Sequence, residues 1–314
     1  MIDLPERFSS FVPGPIQPVN IAWAEGRVSI LRLDKIQSWA SGNKYFKLKY
    51  NLQDVFEKGT THIVSKGGMF SNHLYALAEA CDLFDLKCTC IIRSYQDDPG
   101  NPTLQFLRSK NCKLIFLSPD SYNTFDANEA ESVVPGCYFI DEGGESLFAI
   151  VGSGEIMKLI DEKQFQTIVI AGGTMTTVAG MLQAASSNQH IVVVPAWKGC
   201  TNDFIRLVLE KYNIHPACTW SLWPEFHFGG FAKSNQELAD FMQAFTEATF
   251  IPLDPVYTGK MMFAIHQKIL QDELATGNIL AIHTGGLQGI EGAYYRNPKL
   301  WIEYREMCSA INIT

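Results

Sequence analysis

Short apolar runs alternate along this chain with longer segments whose apolar positions recur at helical spacing, which is the pattern of an α/β fold. Thr61–Ser65 reads as a strand, Asn72–Cys81 as a helix, Lys87–Arg93 as a strand, Pro102–Ser109 as a helix and Lys113–Leu117 as a strand, a βαβαβ unit. An irregular stretch over Pro119–Pro135 leads to a strand at Cys137–Ile140 and a long amphipathic helix over Ser146–Asp161. A second run follows: an almost wholly apolar strand at Thr167–Ala171, a helix over Thr177–Ser186 and a buried strand at Ile191–Val194. Helices over Thr201–Lys211, Asn235–Thr249 and Gly259–Leu274 and a strand at Asn278–His283 complete the reading. Two α/β units parted near residue 150 imply two lobes and a cleft, with ligands gathered beyond the carboxyl ends of the strands. No internal repeat or low-complexity stretch breaks this order.

Composition narrows the ligand class. The 314 residues are 46% hydrophobic and 18% charged, enough for two domains with their own cores. A net charge of -8 and a pI near 5.4 argue against nucleic acid or an anionic membrane surface as partner, which leaves small molecules. The start, Met1–Glu6, lacks a basic segment followed by an apolar one, and no apolar run is long enough to span a bilayer, so the expected compartment is the cytoplasm. The 8 cysteines form no CxxC pair and no metal-ligand spacing; reduced, mostly buried thiols and no metal are expected.

The polar loops carry the candidate chemistry. In Ser41-Gly42-Asn43-Lys44-Tyr45-Phe46-Lys47, Lys44 and Lys47 share one face if the segment is helical. A partly desolvated lysine attacks carbonyls, so one amine would hold an aldehyde carbon and the other a phosphate; the bland alternative is a pair of solvated surface charges. The loop Ser65-Lys66-Gly67-Gly68-Met69-Phe70-Ser71-Asn72-His73 runs from a strand end into a helix start, where Ser71 or Asn72 caps the helix and free amides would face a carboxylate. Lys66 is the rival Schiff-base lysine, ranked second because its side chain is expected to leave the strand on the face away from the loop. His73 reads more simply as a packed or solvated histidine. Gly172-Gly173-Thr174-Met175-Thr176-Thr177, again between strand and helix, combines flexible backbone, hydroxyl donors and a helix N-terminus into a phosphate cradle. It fits neither GxGxxG nor GxxxxGK[ST]. Tyr257, at a helix start, and Thr284, at a strand end, would set a ring and a hydroxyl beside a planar cofactor, although each alone reads as a packing or capping residue.

Together these segments resemble the family of D-cysteine desulfhydrase and 1-aminocyclopropane-1-carboxylate (ACC) deaminase, within the fold type II, tryptophan-synthase-β-like enzymes that use pyridoxal 5'-phosphate (PLP). The resemblance runs from Gly42-Asn43-Lys44 through Ser71-Asn72-His73, Asp141-Glu142-Gly143-Gly144, the Gly172–Gly180 loop and Pro255–Lys260 to His283-Thr284-Gly285-Gly286, in that order. It implies a two-domain fold, each domain a mostly parallel twisted sheet flanked by helices, with a large cofactor domain (1–47 and 156–314) and a smaller inserted one (48–155). It implies Lys44 as the Schiff-base lysine, Lys47 and the amides of 173–177 on the phosphate, and Asn72 on the cofactor's phenolic oxygen. Ser71 would meet the substrate carboxylate or move a proton, with Asn72 and His73 beside the substrate; Tyr257 would stack on the ring and Thr284 face its nitrogen. A homodimer acting on a small amino acid is implied as well.

The chain also departs from that family. Phe70 stands where glutamine is usual, and Leu74 and Tyr75 follow His73 where polar or basic residues are common, so the substrate side of the pocket is expected to be altered. Deaminase-type members carry Glu after the tyrosine and Leu in the HTGG-like segment, whereas this chain has Thr258 and Thr284. A neutral hydroxyl at the ring nitrogen makes a weaker electron sink than a carboxylate, which favours elimination of a good leaving group over opening of a carbon ring. The resulting expectation is a desulfhydrase-like lyase giving pyruvate, ammonia and sulfide; ACC deamination, a serine-type dehydratase or racemase, and a non-catalytic amino-acid sensor are the alternatives.

Overall fold

The computed structural model describes residues 11–311 apart from 25 and 275–277; the opening stretch Met1–Glu6 lies outside them. In chain order come β1 (Ile16–Pro18), β2 (Val28–Arg32) and the lysine-bearing helix α1 (Asn43–Glu57). A compact run then gives β3 (His62–Gly68), α2 (Asn72–Leu83), β4 (Lys87–Arg93), α3 (Pro102–Ser109), β5 (Lys113–Leu117), α4 (Pro119–Thr124), α5 (Ala127–Val133) and β6 (Tyr138–Ile140). The rest is α6 (Leu147–Gly154), β7 (Thr167–Gly172), α7 (Thr176–Ala184), β8 (His190–Pro195), α8 (Asn202–Lys211), β9 (Thr219–Leu222), α9 (Gln236–Thr249), α10 (Thr258–Leu270), β10 (Ile279–His283), α11 (Gly289–Arg296) and α12 (Pro298–Ala310).

The strands form a six-stranded sheet in the order β1-β2-β10-β7-β8-β9 and a four-stranded sheet in the order β5-β4-β3-β6. Among the strand pairs of the described residues, β1–β2 alone is antiparallel. The central strands are apolar on both faces because helices cover both. Side chains alternate across the strand, so Ile168 and Ile170 enter one core while Val169 and Ala171 enter the other. The smaller sheet repeats this with Ile63 on one face and Val64 on the other. Helix α1 belongs to both halves: Tyr45 and Phe46 pack in a core of the large sheet, and Leu48, Leu52 and Val55 in that of the small one.

Several elements differ from the sequence reading. Pro119–Pro135 is not irregular; it holds α4 and α5, started by the caps Ser118 and Asp126, the latter in a capping box with Glu129. These helices are too short and polar to show a hydrophobic period. The long helix over Ser146–Asp161 is two pieces, α6 ending at Gly154 and a 3-10 turn over Glu155–Leu159. Thr201 and Asn235 are caps just outside their helices. The reading missed β1, β2, β9, α11 and α12. Strand β2 ends in the charged Arg32, and α11 carries Gly289 and Gly292, both of which blur periodicity. All 8 cysteines are free. The thiols of Cys88, Cys90 and Cys112 lie within 4.8 Å of one another, a cluster that needs β4 beside β5 and so has no signature in sequence spacing.

Candidate active site

Both lysines of the first motif reach the same cavity because of how α1 begins. Gly42 has φ +66°, and a β-carbon there would fall 2.2 Å from the Thr284 carbonyl oxygen, so only glycine lets the two segments touch. The Asn43 amide then donates to that carbonyl at 3.1 Å, setting the start of α1 against the end of β10. Lys44 Nζ donates to Asn43 Oδ1 at 2.8 Å, and Asn43 Nδ2 in turn donates to Thr177 Oγ1 at 2.9 Å. Burial pushes the Lys44 ammonium down to about 8, against the opposing pull of the Asp254 carboxylate. Lys47 is buried one turn further on, its amine held well below the usual lysine range by burial and then by Lys44.

The phosphate-loop candidate lies beside Lys47. Lys47 Nζ donates to Thr174 Oγ1 at 3.4 Å, and Thr174 and Thr176 hydroxyls are 3.2 Å apart. Met175 enters α7 in the left-handed conformation, φ 61°, and no side chain caps the helix. The first amides of α7 are therefore free of a capping side chain, unlike those of α2, which Ser71 caps by accepting from Leu74 N at 3.2 Å. An uncapped helix N-terminus, hydroxyl donors and a buried ammonium with no carboxylate in ion-pair contact among the described residues fit a phosphate dianion. The donor set thus suits PLP.

On the opposite wall, Asn72 Oδ1 accepts from Gln288 Nε2 at 3.0 Å, which orients the amide. His73 is buried; its Nε2 pairs with Ser65 Oγ at 2.9 Å while Nδ1 has no partner among the described residues. Burial and then the charges of Lys47 and Lys44 hold it well below its usual range, so the ring is neutral. Phe70 lines the cavity, but Tyr75 does not. Its ring stacks on Phe106 at 3.6 Å, which corrects the expectation that it shapes the pocket. Leu74 is likewise a core residue. Lys66, the rival lysine, points to the far face, donating to the Phe125 carbonyl at 2.7 Å and lying 3.3 Å from Asp141.

Tyr257 and Thr284 close the cavity. A β-carbon on Gly173 would sit 3.0 Å from the Tyr257 ring, so the ring lies over the loop backbone. Burial, then Asp254 and Glu142, push its hydroxyl well above the usual range. The buried Asp254 carboxylate accepts from the amides of Val256, Tyr257 and Thr258 at 2.9, 3.0 and 2.7 Å and from Thr258 Oγ1 at 2.8 Å. Thr258 is thereby turned into the turn and away from the cavity, which corrects the expectation that its hydroxyl neighbours the ring. Thr284 does line the cavity. Behind it, His283 Nε2 donates to the Pro252 carbonyl at 2.7 Å and Nδ1 accepts from Gly285 N at 3.2 Å. Lys260 Nζ donates to the carbonyls of Ala196, His227 and Gly230 at 3.2, 2.9 and 2.8 Å, pinning the segment that leads to Phe231.

The cavity, about 310 Å³, collects Lys44, Lys47, Ser71, Asn72, His73, Gly173, Thr174, Met175, Thr177, Tyr257 and Thr284. Gly172 and Thr176 were also expected at the site but do not line it: Gly172 ends β7, and Thr176 is buried beneath Thr174. The sequence reading missed Arg296, Phe231 and Ala232. Arg296 ends a helix that the reading did not find, and the other two sit in a loop with no residue pattern to mark it.

Comparison with known proteins gives a consistent result. The family model described as "Pyridoxal-phosphate dependent enzyme" matches residues 24–285. A putative 1-aminocyclopropane-1-carboxylate deaminase of Pyrococcus horikoshii is 28% identical over 284 residues, 83% of this chain and 85% of that protein. The mitochondrial bifunctional D-cysteine desulfhydrase/1-aminocyclopropane-1-carboxylate deaminase of Arabidopsis thaliana is 27% identical over 285 residues, 80% of this chain and 70% of that protein. Among solved structures, an ACC deaminase homologue superposes with a TM-score of 0.75 at 24% identity, covering 92% of this chain and 94% of that one.

Proposed function

Because the chain belongs to the family of pyridoxal-phosphate dependent enzymes, with PLP as its cofactor, we propose that it is a lyase that eliminates a good leaving group from the β-carbon of a small amino acid, in the manner of a D-cysteine desulfhydrase. The observation that carries this reading is the neutral Thr284 hydroxyl, a residue that lines the cavity just beyond β10 and whose carbonyl is set against the start of the lysine helix. Bound PLP supplies an electron sink for the pair left when a substrate loses its α-proton.

The chain's own residues do the rest. Lys44, with an amine of pKa about 8, would hold the cofactor and is the base placed to take the α-proton at near-neutral pH. Lys47, Thr174 and the amides of 173–177 bind the phosphate. Thr176 and Thr177 support them, Thr176 through Thr174 and Thr177 through Asn43. Asn72, oriented by Gln288, donates to the cofactor's phenolic oxygen. Ser71 meets the substrate carboxylate or hands on a proton, and His73 backs that wall as a neutral group. Tyr257 lies against the cofactor ring with its hydroxyl protonated. Enclosure by Phe70, Phe231 and Val256 limits water at the reacting carbon.

The four-stranded sheet is built entirely from residues between 62 and 140, which supports an inserted lobe over 48–155 within a cofactor lobe of 1–47 and 156–314. We also propose a homodimer in the cytoplasm. Support for the dimer comes from Leu147, Phe148 and Val151, exposed by 61%, 40% and 54% on one side of α6. No helix among the described residues is long and apolar enough to cross a membrane.

The test is pyruvate release by the purified holoenzyme from D-cysteine, L-cysteine, D-serine and ACC, side by side. D-cysteine is expected to be turned over fastest, with sulfide as co-product. ACC as the best substrate would overturn the argument from Thr284, and no pyruvate from any of them would remove the lyase reading.

A further inference from the structure

We propose that Arg296 makes the outer end of the cavity a subsite for an anion, so that the preferred substrates are amino acids whose β-substituent carries a negative charge. The inference rests on the reading of the site as that of an amino-acid lyase and narrows its substrate class. Arg296 closes α11 and lines the cavity. Its guanidinium carbon sits 4.9 Å above the centre of the Phe70 ring, stacked on a residue that replaces the family's usual glutamine. Nε donates to the Gly292 carbonyl at 3.0 Å and Nη1 to that of Ala232 at 3.2 Å. Nη2 has no acceptor among the described residues, and no carboxylate among them pairs with this side chain.

Two backbone carbonyls and an aromatic face therefore fix the guanidinium plane while part of its N–H edge stays unused. Nη2 and the second Nη1 hydrogen remain to meet a carboxylate, sulfonate or phosphate through charge-assisted bonds. Its immediate neighbours Phe70, Ala232 and Gly292 are uncharged, and the side chain itself is exposed at the cavity mouth, where an incoming anion can reach it. Glu142, the one carboxylate among the described residues that line the cavity, belongs to the turn beside Thr174 and forms no ion pair with Arg296 among them. The position also suits a β-substituent. Phe70 precedes Ser71, and Ala232 follows Phe231, whose ring meets Tyr257 edge-on at 6.3 Å. Arg296 is thus coupled on both sides to residues assigned to the reacting centre. D-cysteine would leave its free edge without a partner; an anionic tail would fill it.

S-sulfocysteine is a suitable reactant. The α-proton goes to the enzyme base, the Cβ–S bond breaks, thiosulfate leaves with the electron pair, and water converts the remaining enamine to pyruvate and ammonia. β-Chloroalanine undergoes the same elimination with a neutral side chain. Both enantiomers of each are assayed with the holoenzyme and with Arg296→Gln and Arg296→Lys. Binding of aspartate and alanine is titrated in parallel from the cofactor's visible band. The wild type should favour S-sulfocysteine over β-chloroalanine at least tenfold in kcat/KM, and aspartate should bind at least tenfold tighter than alanine. Arg296→Gln should collapse both ratios, the kinetic one through KM, and Arg296→Lys should restore part of each. Absence of the aspartate preference in the wild type, absence of the kinetic preference in an enzyme that does release pyruvate, or persistence of either in Arg296→Gln, overturns the subsite. An aspartate preference that depends on Arg296, with no pyruvate from any substrate, would instead retain the subsite and refute the lyase reading.

Discussion

A lysine is useful to carbonyl chemistry only while its amine is unprotonated, and the surroundings of Lys44 address that requirement. With a pKa of about 8, roughly a quarter of the amine is free at pH 7.5, against about a thousandth for an ordinary lysine near 10.4. Because the shift is downward, the reactive form gains as pH rises through 8 and changes little above 9. Recombination of the apoenzyme with PLP should therefore speed up from pH 6.5 to 8.5 and then level off; a rate still climbing through pH 10 would mean that the amine is not shifted. Much at this scale was legible in the sequence. Lys44 and Lys47 fall on one helical face by spacing alone, and strand alternation turns Lys66 away. Thr258 was not legible, because its direction is set by the cap that Asp254 makes four residues earlier. Nor was Arg296, whose place in the cavity depends on the path of a helix with a weak periodic signal.

At the level of elements, the site is held by a junction that never touches it. Arg32, at the end of β2, donates to both Asp34 oxygens at 2.8 and 2.6 Å and to Gln17 at 2.9 Å, and the Asp34 carboxylate lies 3.3 Å from His283 at the end of β10. Burial raises the Asp34 carboxyl, but His283 in its protonated form and the Arg32 guanidinium together outweigh it and leave it below the usual value. A carboxyl lowered on folding stabilises fully above its unfolded pKa of about 3.9, and that contribution fades as pH falls through the folded value. Asp34→Ala leaves a buried guanidinium without its partner and should cost about 3–5 kcal/mol in denaturant unfolding of the apoprotein. A loss under about 1 kcal/mol, within the range of an exposed pair, would show that the junction is not structural. Sequence pattern located the long apolar strands well because burial on both faces leaves a plain signature. It failed at β2 and β9, and at α4 and α5, where local caps and tertiary pairing decide the structure instead of periodicity.

For the molecule as a whole, topology brings distant segments to one cavity. The ends of β3, β7 and β10 and the starts of α1, α2, α7 and α10 meet there, as expected beyond the carboxyl edges of parallel sheets. The exposed apolar side of α6 lies outside this convergence. Glu145, just before it, binds Lys211 and Tyr212 at 2.5 and 2.7 Å, which sets α8 and its exposed Leu207 nearby. Size-exclusion chromatography with light scattering should find a dimer, and Leu147→Asp/Val151→Asp should give a folded monomer; a wild type that runs as a monomer would refute the proposed assembly. The central claim is that the chain converges on Lys44 as the residue that carries the cofactor. Borohydride reduction of the holoenzyme, followed by peptide mapping, tests it most directly. The account predicts the pyridoxyl label on Lys44 alone, lost in Lys44→Ala and kept in Lys66→Ala; a label on Lys66 or Lys47, or one that survives Lys44→Ala, would contradict it.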